Sequence, residues 1–96
     1  MRRFAVDRTG ENVLLAEGEL DLLAVPLLRA HLGNAAVTTV DLGAVTFIDS
    51  SILAVLVDAH GARQQRGGLV VRNPSASVRR ILRVSGLDRW LPVQIG

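Results

Sequence analysis

The stretch Val45-Thr46-Phe47-Ile48-Asp49-Ser50-Ser51 decides how this chain is read. An apolar run ends there in one acid and two hydroxyls. A segment with helical spacing, Ile52 to Arg66, follows at once. The change places the two serines at a strand-to-helix junction, in the first turn of the helix. The first N–H groups of a helix lack internal partners, and that end of the helix dipole is positive. A serine there acts as a plain cap, or it carries a phosphate, since a helix start tolerates negative charge. The residues alone leave both readings open.

Upstream of the junction, Phe4 to Asp7 alternates and Thr9-Gly10-Glu11-Asn12 makes a turn. Val13 to Ala16 is aliphatic, so the two runs predict a hairpin. Gly18-Glu19-Leu20-Asp21 closes that strand region. Val25 to Leu32 places apolar residues at 25, 28 and 32, a helical spacing, with Pro26 in the first turn and Gly33-Asn34 as the stop. Val37 to Leu42 reads as a central strand buried on both faces. Gly43-Ala44 reads as a turn before Val45 to Ile48.

Downstream, the helix that starts at Ser50 or Ser51 runs to about Gln65, and Gly67-Gly68 ends it. Leu69 to Val71 is the next strand and Asn73-Pro74-Ser75 a turn that supplies a cap. Ser77 to Val84 is a third helix with Val78, Ile81 and Leu82 inward. Gly86 is its left-handed stop, with Leu87 folding back. Leu91 to Ile95 is a final short strand. A hairpin followed by alternating helix and strand predicts one α/β domain, residues 1–96, with a mixed sheet of four to five strands and parallel later strands. Sites in such sheets form beyond the carboxyl ends of the strands. Asp21 and the Asp49-Ser50 pair both follow strands there.

The composition narrows the function classes. With 49% apolar residues and three aromatics, Phe4, Phe47 and Trp90, the core is aliphatic. Trp90 reads as a packing anchor between the last turn and the sheet. Eleven arginines, no lysine and nine carboxylates give a charge of +2. The high pI of 11.0 reflects the arginine chemistry and is no nucleic-acid signal, because the arginines are scattered and no aromatics cluster beside them. Having no cysteine excludes disulfides and thiolate metal sites. His31 and His60 lack metal-ligand spacing; they read as a surface and a core-edge histidine. No apolar run reaches the ~18 residues of a membrane span, and the N-terminus has no signal-peptide core. A soluble intracellular protein is expected.

Several pieces together resemble the STAS domain of bacterial anti-sigma-factor antagonists: Gly18-Glu19-Leu20-Asp21, Val40-Asp41-Leu42, the Val45–Ser51 junction, Gly67-Gly68-Leu69-Val70, Asn73-Pro74 and Val84-Ser85-Gly86-Leu87. The match runs from about Phe4 to Val93. The resemblance implies a cytoplasmic, non-enzymatic regulator of transcription that works by partner switching. Its partner is an anti-sigma factor that is also an ATP-dependent serine kinase. Binding frees the sigma factor; phosphorylation of the serine directly after the acid, here Ser50, releases the partner, and a serine phosphatase resets the switch. The chain itself needs no cofactor, since nucleotide and magnesium belong to the kinase.

The chain departs from the family pattern where glycines usually follow the serines; it has Ile52 and Ala54. It also stops at Gly96, where many members carry one more helix, and the expectation is either a bared sheet face or pairing with another copy as a homodimer. Ser51 reads as a cap or loop support. Asp49 shapes the loop through backbone bonds, and the resemblance adds partner contact; Asp21 is read both ways too. Leu53, Leu56, Val57 and His60 share one helix face, so Ile52 and Val55 are expected to be partly exposed beside Ser50. The alternatives there are a broad core contact and a docking patch. Leu22, Leu23 and Leu27 lie off the 25/28/32 stripe and pose the same choice; exposed leucines there would extend the patch beside Asp21. Arg79, Arg80 and Arg83 read as solvated. The expected partner-binding set is thus Asp21, Leu22, Leu23, Asp49, Ser50, Ser51, Ile52 and Val55, without nucleic acid or membrane.

Two other classes compete. One is a STAS-like accessory subunit of a transporter ATPase with a purely structural serine. The other is a nucleotide-binding module at the strand ends, which lacks a glycine-rich phosphate loop. No acid–base pair or metal set assembles from the sequence into an enzyme.

Overall fold

The computed structural model describes residues 4–10, 12–89 and 91–95. Trp90, expected as a packing anchor, lies outside them. The elements run β1 (Phe4–Thr9), β2 (Val13–Leu20), α1 (Val25–Leu32), β3 (Thr39–Ile48), α2 (Ser50–Gly61), β4 (Val70–Arg72), α3 (Ala76–Ser85) and β5 (Val93–Gln94). Short 3-10 turns cover Leu22–Ala24, Gln64–Arg66 and Leu87–Arg89. The sheet has five strands in the order β1-β2-β3-β4-β5. The hairpin is antiparallel, and β2 to β5 run parallel to one another. The α/β architecture with a mixed sheet is the one expected from the sequence.

This order puts the helices in one layer. Parallel strands that advance one step at a time through right-handed crossovers carry every crossover on the same face. The burial follows. Leu14, Ala16, Leu20, Val40, Leu42, Val45, Ile48 and Val71 are buried under the helices. On the other side of the same strands Val13, Leu15, Thr39, Asp41, Val70 and Arg72 are only half-buried, and Glu17 and Glu19 are exposed. Charge on that face is partly neutralised by Arg72, whose Nη2 lies 3.2 Å from Asp41 Oδ2.

The structure corrects the reading of residues 37–48. Gly43-Ala44 is no turn; β3 continues through it. Instead β3 carries two extra residues relative to β2. Leu15 pairs with Asp41 but Glu17 with Ala44, and Gly18 pairs with Val45 but Glu19 with Phe47. Each bulge keeps the strand going while shifting which side chains face inward. Asp41 Oδ1 accepts the Gly43 N–H at 2.9 Å, which holds the first bulge. Beyond Asp41, β3 has no partner in β4. The start of α3 takes that place: the Ser75 N–H donates to Leu42 O, the Ser75 hydroxyl to Val45 O and the Ser77 hydroxyl to Thr46 O.

α2 is also corrected. Its regular turns stop at Gly61, short of Gln65, because Arg63 turns inward. Arg63 Nε donates to Val37 O, Nη1 to Ala59 O, and Nη2 to Leu32 O and Asn34 O. The 3-10 turn Gln64–Arg66 follows, and Gly67 and Gly68, both at positive φ, end that turn rather than α2 itself. The expected inward stripe was rotated. Ile52, Val55, Leu56, Ala59 and His60 are buried, while Leu53 and Val57 are half-buried. The first turns of α2 are apolar almost all round, so periodicity could not orient them; packing against α1 and the sheet does. Ile52 and Val55 are therefore core residues, and their expected exposure beside Ser50 is overturned. Elsewhere the readings agree: α1 spans Val25–Leu32, Ser75 caps α3, Val78 and Leu82 point inward, and Gly86 takes the left-handed conformation.

Candidate functional site at the carboxyl edge of the sheet

Leu20 and Ile48 are paired at the last rung of β2 and β3. Asp21 and Asp49 are the next residues on each strand, so the parallel register brings both acids to one edge. Each turns its chain into the helical layer by the same device. Asp21 Oδ1 accepts the Leu23 N–H at 3.0 Å and opens the 3-10 turn Leu22–Ala24. Asp49, extended at φ −108°, caps α2: its Oδ1 accepts the Ser51 N–H at 3.0 Å and the Ile52 N–H at 3.2 Å. Carboxylates at these positions satisfy helix donors that have no internal partner.

The two serines differ sharply. The Ser51 hydroxyl donates to Asp49 Oδ1 and is half-buried. Ser50 is the first residue of α2 and is exposed; among the described residues its side chain has no hydrogen-bond partner. The Ser51 hydroxyl bond is also the main reason that the Asp49 carboxyl titrates below its ordinary value. Burial opposes the shift, and the backbone N–H groups of Ile52, Ser51 and Leu22 add to it. Asp49 is thus anionic at neutral pH, with its accepting capacity turned to its own loop and to the neighbouring turn at Leu22. Among the described residues no histidine stands beside the two serines, and the one carboxylate that accepts a serine hydroxyl, Asp49, takes that of Ser51.

Around this edge the apolar surface is uneven. Leu22 and Leu23 are 67% and 70% exposed, and Leu27 one turn on is exposed too. These leucines are where the sequence put them. Ile52 and Val55, by contrast, do not reach the surface, which leaves Asp21, Leu22, Leu23, Asp49, Ser50 and Ser51 as the candidates at this edge. Periodicity missed Phe47, which is exposed at the end of β3. Strict alternation from the inward Val45 would have buried it; the bulge at Thr46 reverses that, and no local signal in the residues marks a bulge. Among the described residues no group of three His, Cys, Asp or Glu side chains could hold a metal ion. No helix among the described residues is long and apolar enough to cross a membrane.

The family model described as "Mlab, STAS domain" matches residues 4–94, so the chain belongs to the STAS domain family. The search of curated protein sequences gave no match. Among solved structures, the chain is similar to an anti-sigma factor antagonist from Mycobacterium paratuberculosis: 26% identity, 95% of this chain and 83% of that one covered, TM-score 0.77. It is similar in fold to a putative anti-sigma factor antagonist from Thermotoga maritima, with 22% identity, 97% and 86% coverage and a TM-score of 0.75. It is also similar to the Bacillus cell fate determinant SpoIIAA in its phosphorylated form, with 27% identity, 94% and 89% coverage and a TM-score of 0.63.

Proposed function

We propose that this chain is an anti-sigma-factor antagonist. In this reading it binds an anti-sigma factor with serine kinase activity in the cytoplasm, frees the sigma factor, and lets go when Ser50 is phosphorylated. A serine phosphatase returns it to the binding form. The chain performs no catalysis of its own and binds no cofactor; ATP and magnesium come with the kinase.

One observation carries this reading. Of two adjacent serines at the start of α2, Ser51 is committed to Asp49, while Ser50 is exposed with an unengaged hydroxyl. The physical consequence of modifying Ser50 is specific. A phosphate adds about −1.5 to −2 charges and three acceptor oxygens. The fold tolerates this, since the positive end of α2 lies beneath it. A docked partner does not, because a dianion would have to be stripped of water beside the Asp49 carboxylate. Asp21, Leu22, Leu23 and Asp49 supply the contact surface around it, and the similarity to the Mycobacterium paratuberculosis anti-sigma factor antagonist supports the general role.

The test is a kinase reaction with ATP and candidate anti-sigma factors, read by intact mass and site mapping. One phosphate on Ser50, none on Ser50→Ala, and weaker binding of Ser50→Asp with an unchanged melting curve are expected. Copurification with a transporter ATPase and an unmodified Ser50 would instead favour the accessory-subunit reading.

A further inference from the structure

Six large apolar side chains are exposed among the described residues: Leu22, Leu23, Leu27, Phe47, Val84 and Ile95. Leu22, Leu23 and Leu27 belong to the turn and helix that follow β2, in the helical layer. Phe47 is different. Its register partner is Glu19, which shares a side of β2 with Val13, Leu15 and Glu17. That is the face without helices. The edge that carries Ser50 therefore has an apolar contact on each side of the sheet.

Phe47 is held outward by named interactions. Thr46 is the extra residue between the pairs Gly18–Val45 and Glu19–Phe47. Val45 and Ile48 stay buried, so both residues between them face away from the core. The carbonyls of Val45 and Thr46, which a neighbouring strand would otherwise engage, accept the hydroxyls of Ser75 and Ser77. A partly exposed aromatic ring, 44% accessible and fixed by a strand, loses little conformational freedom on being covered.

We propose that Phe47 is a second docking anchor, and that the partner grips the carboxyl edge of the sheet from both faces. The occupant is the anti-sigma factor of the preceding reading, on which this inference rests. It presents a cleft with two apolar walls: one covers Leu22, Leu23 and Leu27, the other covers Phe47. The floor of the cleft meets Ser50. With such a grip one phosphate on Ser50 would suffice for release. A cleft closed on both sides leaves no route by which the dianion keeps its water. Ser75 and Ser77 are positioning residues that act through the bulge.

The experiment measures the affinity of the cognate anti-sigma factor for the full chain and for Phe47→Ser, Leu23→Ser and Val84→Ser. Val84, 80% exposed on α3, serves as the control. Phe47→Ser and Leu23→Ser should each weaken binding by about tenfold or more, Val84→Ser should not, and Phe47→Leu should retain most of the affinity. Hydrogen exchange in the complex should show protection both at residues 21–27 and at residues 44–47. Loss of affinity in Leu23→Ser alone, with residues 44–47 unprotected, would overturn the two-sided grip while leaving the antagonist reading intact. Failure of the unaltered chain to bind any anti-sigma factor would instead remove that reading, and this inference with it. Melting curves of the variants separate lost contact from lost fold.

Discussion

Asp49 bonds the hydroxyl of Ser51 and passes over Ser50, although Ser50 is its nearest neighbour in the chain. The reason is helical geometry. A capping side chain reaches the second and third N–H groups of the helix, not the first. The residue at the first position is thereby left facing outward, with its hydroxyl available. The cap and the free serine are two results of one local structure.

Loss of the cap should therefore be felt in stability. Asp49→Ala is expected to cost about 0.5–2 kcal/mol, and Ser50→Ala less than about 0.5 kcal/mol, as for a surface position. Denaturant unfolding of the two variants checks this. Equal losses would contradict the division of labour between the residues.

The same carboxylate should give the fold an acid-sensitive component. Its pKa in the folded chain lies below the ordinary value, chiefly through the Ser51 hydroxyl. A depressed carboxyl pKa adds stability that is complete above the unfolded-state value and is lost as pH falls through the folded value. Asp49→Asn should thus reduce stability at neutral pH and flatten its decline below about pH 4. Melting temperatures across pH 2 to 7 would reveal the change in slope as an approximate convergence of the two curves at the acid end.

Arg63 is predicted to be structurally indispensable. It is 4% exposed, and its guanidinium joins the carbonyl ends of α1 and α2 to the start of the strand region at Val37. A cation at two helix C-termini also meets the negative ends of their dipoles. Burial lowers its pKa, and the Arg66 charge adds to that effect, yet a guanidinium remains protonated. Arg63→Met strands several buried carbonyls at roughly 1–3 kcal/mol each before relaxation. Arg63→Lys should recover only a minor part, since an ammonium cannot span the same acceptors. Chemical denaturation of both variants tests this.

Two adjacent glycines should respond unequally to substitution. Gly67 and Gly68 both sit at positive φ. A Cβ on Gly67 would meet open space, but one on Gly68 would clash with the His60 ring at Cε1 and Nδ1. His60 cannot simply withdraw, because its Nδ1 accepts the buried Leu69 N–H at 3.0 Å. Gly67→Ala should cost about 1–2 kcal/mol for the backbone alone. Gly68→Ala should cost clearly more and weaken exchange protection of the Leu69 amide. Identical melting temperatures for the two variants would refute the contact.

Ile52 offers a check on the corrected site. Because it is fully buried, Ile52→Ala should destabilise by about 2–5 kcal/mol. The part that remains folded should bind the partner with unaltered affinity. A surface role would show the opposite pattern.

Local chemistry is enough to recognise much of this molecule. The period of α1, the serine cap of α3 and the left-handed Gly86 each follow from a few neighbouring residues. So does the junction after Ile48, where an apolar run meets an acid and two hydroxyls, although the helix is capped by Asp49 and not by a serine. These features depend on interactions spanning a few positions, which the order of residues states directly.

Other features were decided only by assembly. Which side of α2 faces the core was illegible, because Ile52, Leu53, Val55, Leu56 and Val57 are all apolar; the sheet and α1 choose among them. The path through Gly43 and the exposure of Phe47 depend on bulges set by pairing β3 with β2 and by serines about thirty positions away on α3. The chain order of residues determined the α/β alternation and the hydroxyl at the start of α2. The tertiary structure decided which apolar side chains stay exposed at that edge of the sheet, since burial is a property of the packed layers and not of any segment alone.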